Sequence, residues 1–301
     1  MKLMPRERIT EQANRASAEL DTKSTREILR IINLEDQRVA AAVGKTLPQI
    51  ALAVDLAVDA IRIGGRLVYL GAGTSGRLGV LDASESIPTF ATDKVLAILA
   101  GGSGALTRSA EAVEDDPQQA VRDLRKIRFS RKDVLVGIAA SGRTPYVMGG
   151  MRYARSRGAK VVALTCNPQA DMRALAEVSI IPVVGPEVIA GSSRMKAGTA
   201  QKLVLNMLST ATMVRLGRVL SGYMINVQLT NDKLRKRAEG IIVKLTGASE
   251  AAAAQALKDS GAKLPAALLM ILKKVPASEA ARLLRAGKSD AEVIRRAMKT
   301  R

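Results

Sequence analysis

Residues 67 to 85 read Leu-Val-Tyr-Leu-Gly-Ala-Gly-Thr-Ser-Gly-Arg-Leu-Gly-Val-Leu-Asp-Ala-Ser-Glu. The apolar run Leu67 to Leu70 enters a loop holding Gly71, Gly73, Thr74, Ser75 and Gly76, and the stretch closes on Glu85. Glycine lets backbone approach a ligand closely. Thr74 and Ser75 add hydroxyl donors, and the helix that this loop opens favours an anion at its N-terminus. One strand–loop–helix unit thus offers an anion cradle and, a few turns on, a carboxylate for proton transfer. The pairing points to chemistry on a small phosphorylated molecule.

Working outward, strands and helices alternate from Arg66. Strands are predicted over 66–70, 94–99, 133–139, 160–165 and 178–184, each short, apolar and rich in Val, Ile or Leu, as buried parallel strands are. The fold class that follows is α/β, a doubly wound parallel five-stranded sheet that binds ligands at the carboxyl ends of its strands. N-terminal helices precede it. Ser24-Thr25-Arg26-Glu27 is a capping box that predicts a helix over 25–33, and helical spacing runs from 35 to 63 with an interruption near Pro48. A long helix is predicted over 194–217. From about 232 the pattern is helical only, and Ser289-Asp290-Ala291-Glu292 is a second capping box. The expected divisions are an N-terminal helical arm (1–52), the α/β domain (53–218), a connecting helix (219–239) and a small helical C-terminal domain (240–301).

Composition narrows the chemistry. The 301 residues include no His, so His-dependent nucleophilic triads and His-ligated metals are excluded. Proton transfer falls to Asp, Glu, Lys, Tyr or water. The single cysteine, Cys166, reads as a small buried residue. The net charge of +19 is carried by dispersed Lys and Arg, and aromatics are only 2%. Without stacking partners this is read as a solvated basic surface and not as a nucleic-acid interface. No apolar run reaches the roughly 18 residues of a membrane span, and a signal-peptide core is missing, so a cytoplasmic protein is expected.

Three further segments carry chemistry. Ala140-Ser141-Gly142-Arg143-Thr144 follows one predicted strand and precedes a helix starting near Pro145. Its hydroxyls suit a helix cap and also phosphate oxygens. The stretch 185–199 crowds Glu187, Ser192, Ser193, Arg194 and Lys196 around glycines at a helix start. Cations oppose the positive end of a helix dipole, so an anion is expected beside them. Last, Glu111, Glu114, Asp115 and Asp116 cluster before Pro117. In a chain without His, a pair of Glu residues is the simplest acid–base device.

Together these segments resemble the N-acetylmuramic acid 6-phosphate etherase family of the sugar isomerase (SIS) superfamily. The matching stretches are Gly71 to Gly79 with Asp82-Ala83-Ser84-Glu85, then Gly137 to Val147, Gly191 to Thr210, and Thr230-Asn231-Asp232-Lys233-Leu234. The resemblance implies an SIS-type fold and a lyase that cleaves the D-lactyl ether of N-acetylmuramate 6-phosphate, in cell-wall amino-sugar recycling. It also implies a homodimer with the site near its interface, and no metal or organic cofactor. It assigns the proton donor to Glu85 and the base to Glu114. The expected substrate contacts are Gly73, Thr74, Ser75, Ser141, Gly142, Arg143, Thr144, Glu187, Ser192, Ser193, Arg194 and Lys196. An aldose–ketose phosphosugar isomerase would use a carboxylate base but release no lactate. A phosphosugar sensor such as glucokinase regulatory protein would not need both acids.

Overall fold

The computed structural model describes residues 9–108 and 112–300; Glu111 and the first eight residues lie outside them. The chain divides into two compact units, Met1–Ser84 with Lys94–Ser209, and Glu85–Asp93 with Thr210–Arg301.

The first unit holds a five-stranded parallel sheet in the order β2-β1-β3-β4-β5. The strands are β1 (Leu67–Gly71), β2 (Val95–Leu99), β3 (Val134–Ile138), β4 (Lys160–Leu164) and β5 (Val178–Ile180). β1 and β3 are fully buried along their length, which explains their unbroken apolar sequence. The strand order reverses between β1 and β3, so their carboxyl ends flank a crevice of the kind where doubly wound sheets take ligands. β5 is shorter than the expected 178–184. Pro182 lacks the N–H that would continue the ladder.

Helices α1 (Thr25–Gly44) and α2 (Leu47–Arg62) precede the sheet. The Ser24–Glu27 capping box forms, and α1 runs eleven residues past the predicted end at 33, into the stretch whose helical spacing starts at 35. α2 buries six apolar residues and packs on β1, β3 and β5. α3 (Gly73–Phe90), α4 (Pro117–Lys126), α5 (Pro145–Ser156) and α6 (Lys196–Arg215) complete the α/β pattern. Among the described residues no single helix is long and apolar enough to cross a membrane.

In the second unit, Val219–Leu220 (β6) and Tyr223–Met224 (β7) pair as a hairpin. Ser221 and Gly222 both take positive φ, as a two-residue hairpin turn requires. The connecting helix expected over 219–239 is therefore a hairpin followed by α7 (Asp232–Thr246), which runs past residue 240. α8 (Glu250–Asp259), α9 (Leu264–Lys273), α10 (Ala277–Ala286) and α11 (Asp290–Lys299) follow. Leu268, Leu269, Ile242 and Ile294 centre a core of this unit's own.

Candidate active site

The turn after β1 is shaped by glycine for steric reasons. A Cβ on Gly71 would come within 2.7 Å of the Gly76 nitrogen, one on Gly76 within 2.5 Å of the Gly71 carbonyl, and Gly73 has φ +52°. α3 starts inside this turn, so Thr74 and Ser75 occupy its first turn, where backbone N–H groups lack helical acceptors. The turn after β3 is built alike. Gly142 has φ +70°, and a Cβ there would lie 2.1 Å from the Ala170 Cβ. Thr144 sits at the N-cap of α5, yet its hydroxyl makes no capping bond. The expectation that Thr144 caps the helix is thus corrected. Arg143 pairs with Asp171 at 3.1 Å. Gly71 and Ile138 are register partners, which brings the two hydroxyl-bearing turns side by side at the crevice.

The 185–199 stretch works differently from its expectation. Glu187 is buried and accepts the N–H groups of Lys196 (3.0 Å) and Ala197 (2.9 Å), closing the N-terminus of α6. Burial raises the Glu187 carboxyl above the usual carboxylate range, against those two bonds. Lys196 is 1% exposed and its Nζ is bonded to Glu35 of α1. Burial pushes Glu35 upward, but hydrogen bonds from Lys196 and Asn14 and the charges of Lys196 and Arg38 outweigh it and hold the carboxyl low. Glu187 and Lys196, expected among the ligand contacts, are therefore committed to each other's helix end and to α1. The anion that the cations called for is, at Lys196, a protein carboxylate. Arg194 stays exposed and has no ion-pair partner among the described residues. The start of α6 lies against the first turn of α3, since a Cβ on Gly198 would be 3.5 Å from the Thr74 methyl.

Glu114 is exposed in the loop before α4, where its carbonyl accepts the Tyr146 N–H (2.9 Å), tying it beside the start of α5. A cleft of about 590 Å³, lined by Gly101, Gly102, Ala112, Val113 and Asp116 among others, opens beside this segment; it includes neither hydroxyl-bearing turn. Glu85 is exposed on α3, eleven residues beyond Thr74 on the same helix. At about 1.5 Å of rise per residue the separation along the axis is about 16 Å. One turn before Glu85, Asp82 is buried, takes a hydrogen bond from the Tyr69 hydroxyl (3.0 Å) and pairs with Lys202 (3.4 Å). Burial raises Asp82 above its ordinary value. Cys166 is buried, which, with the nearby Glu187 charge, pushes its thiol up to about 12. It is no nucleophile at neutral pH.

Sequence reasoning missed Glu35 and Asn14. Glu35 shares one face of α1 with Val39 and Val43, all three buried. A lone carboxylate on an apolar stripe was the available signal. Asn14 carried none. Among the described residues no group of three or more His, Cys, Asp or Glu could hold a metal.

Comparison with known proteins fits this geometry. Residues 49–155 match the glucokinase regulatory protein N-terminal SIS domain, and residues 109–211 match the SIS domain. N-acetylmuramic acid 6-phosphate etherase of Klebsiella aerogenes is 52% identical over 278 residues, 92% of this chain and 93% of its own length. The etherase of Photorhabdus laumondii is 50% identical over 287 residues, 95% of each. Among solved structures, a candidate phosphosugar isomerase involved in capsule formation from Bacteroides fragilis aligns with a TM-score of 0.52. It is 21% identical and covers 67% of this chain and 97% of its own, a likeness of fold.

Proposed function

The chain belongs to the N-acetylmuramic acid 6-phosphate etherase family, and from that premise we propose how its residues divide the reaction. It is a carbon–oxygen lyase that cleaves the D-lactyl ether of N-acetylmuramate 6-phosphate to N-acetylglucosamine 6-phosphate and D-lactate. The observation that carries the division of roles is the pair of hydroxyl-bearing turns at the β1/β3 crevice, each opening a helix.

Thr74, Ser75, Ser141 and Thr144, with the backbone around Gly73 and Gly142, hold the 6-phosphate. Two helix N-termini and the hydroxyls beside them suit a dianion. The N-terminus of α6 is a poorer phosphate site, because Glu187 already occupies it. Arg194, the unpaired cation of that stretch, meets the lactyl carboxylate with Ser192 and Ser193 beside it.

The sugar reacts in its open-chain form, where the aldehyde makes the C2 hydrogen acidic. Glu114 takes the C2 proton. The C3–oxygen bond breaks, Glu85 protonates the departing lactate oxygen, and a double bond forms between C2 and C3. Water then adds at C3 and a proton returns to C2. Each positioned proton transfer contributes roughly 10²- to 10⁴-fold, and the held phosphate supplies orientation.

The separation of about 16 Å between Thr74 and Glu85 along α3 exceeds the span of one hexose from its 6-phosphate to its 3-oxygen. This favours a homodimer in which each chain lends Glu85 to its partner's cradle. Such a pairing also accounts for Leu29 and Leu34 of α1, which are 61% and 46% exposed. The test is D-lactate release by Glu85→Gln and Glu114→Gln, alone and co-expressed. Each alone is expected to bind substrate without turnover. Together, half the dimers carry both chains and each restores one of two sites, so about a quarter of wild-type activity returns. A silent mixture would place the whole site in one chain. Turnover by either variant alone would remove that residue from its role.

A further inference from the structure

The loop before α6 is tied at three points to the start of the chain. Asn14 Nδ2 donates to the Pro186 carbonyl (3.0 Å). The Gly191 N–H donates to the Thr10 carbonyl (3.0 Å). Lys196 Nζ donates to Glu35, which also accepts from Asn14 Nδ2 (2.8 Å) and pairs with Arg38 (2.9 Å). Asn14 thus joins the loop and the buried ion pair through one amide. Between the second and third ties lie only residues 192 to 195, with Ser192, Ser193 and Arg194 among them.

A carboxylate 3% exposed and an ammonium 1% exposed are a costly way to gain stability, because desolvation offsets much of their attraction. Their return is a fixed geometry, and what they fix is the loop that carries Arg194. A guanidinium recognises a carboxylate through paired N–H donors, and that recognition depends on orientation.

We propose that Asn14 and Glu35 are positioning residues: acting through Pro186 and Lys196, they aim Arg194 at the substrate's lactyl carboxylate. The proposal rests on the reading that Arg194 meets that carboxylate. It has a consequence that a general structural role lacks. The substrate carries a phosphate and a carboxylate, whereas N-acetylglucosamine 6-phosphate carries the phosphate alone. Loosening the loop must weaken the first and spare the second.

The experiment measures, for wild type, Asn14→Ala and Arg194→Ala, the KM and kcat for N-acetylmuramate 6-phosphate and the Ki of N-acetylglucosamine 6-phosphate as competitive inhibitor. Asn14→Asp is the second variant. It keeps the acceptor for the Ala16 N–H but loses both donated bonds, and circular dichroism checks that each variant folds. Loss of one aligned charge-assisted contact predicts a KM raised about tenfold with Ki held within about twofold. Parallel shifts in KM and Ki, or a fall in kcat alone, would overturn the positioning role. If Arg194→Ala changes KM relative to Ki and the Asn14 variants do not, the strap is wrong and the Arg194 reading stands. If Arg194→Ala changes neither, the carboxylate reading fails and the strap falls with it.

Discussion

Asp133 is 2% exposed just before β3 and takes both Arg66 Nε (3.0 Å) and Nη2 (2.9 Å), plus the Ser130 N–H (2.8 Å). Burial pushes its carboxyl up, but the Arg66 and Ser130 bonds win and hold it below its ordinary value. A depressed carboxylate stabilises the fold above the unfolded pKa of about 3.9, and that contribution is lost as pH falls through the folded-state value. Wild type should therefore lose stability in acid. Asp133→Asn should be weaker by on the order of 3 kcal/mol at pH 7 and show a smaller difference between pH 7 and acid, read from urea midpoints. Equal acid sensitivity in both proteins would contradict this. The same scale shows where residue types mislead. Arg194 and Lys196 look alike in sequence, two cations at one helix start. Lys196 finds Glu35, 161 positions earlier, a pairing that no local pattern announces.

At the scale of elements, the N-terminus of α6 is held by one carboxylate. Glu187→Ala leaves two buried N–H groups without acceptors and should cost about 2 kcal/mol. Glu187→Gln keeps an acceptor oxygen and should cost less. A denaturation midpoint unchanged in the alanine variant would show that α6 does not depend on this cap. Elements were legible where one strong pattern decides them. β1 and β3 are unbroken apolar runs in sheet positions that demand burial, and α1 has a complete capping box. The 219–224 hairpin was not legible, because two residues per strand form no period and Ser221 is an unusual choice for positive φ. The joint between α1 and α2 was legible too, as the interruption of helical spacing near Pro48, which sits in the first turn of α2.

At the scale of the whole molecule, the two hydroxyl-bearing turns and Glu114 belong to the first unit, while Glu85 falls in the second, carried on the far part of α3. The sequence places Glu85 a few turns beyond the Thr74 turn, and α3 carries both as that spacing implies. The hydroxyl-bearing turns were readable because glycine and hydroxyl residues at strand ends have a direct physical use. The proposed sharing of carboxylates between chains has no such signal, since nothing in one chain encodes its symmetry. The most direct test of the account runs the reaction in deuterium oxide enriched in oxygen-18 and analyses the N-acetylglucosamine 6-phosphate formed. Elimination and rehydration predict deuterium at C2 and oxygen-18 at C3, with no product formed when Glu114→Gln is used. A product with hydrogen retained at C2, or with its original oxygen at C3, would contradict proton removal by Glu114 and the role of Glu85 as acid to a departing lactate.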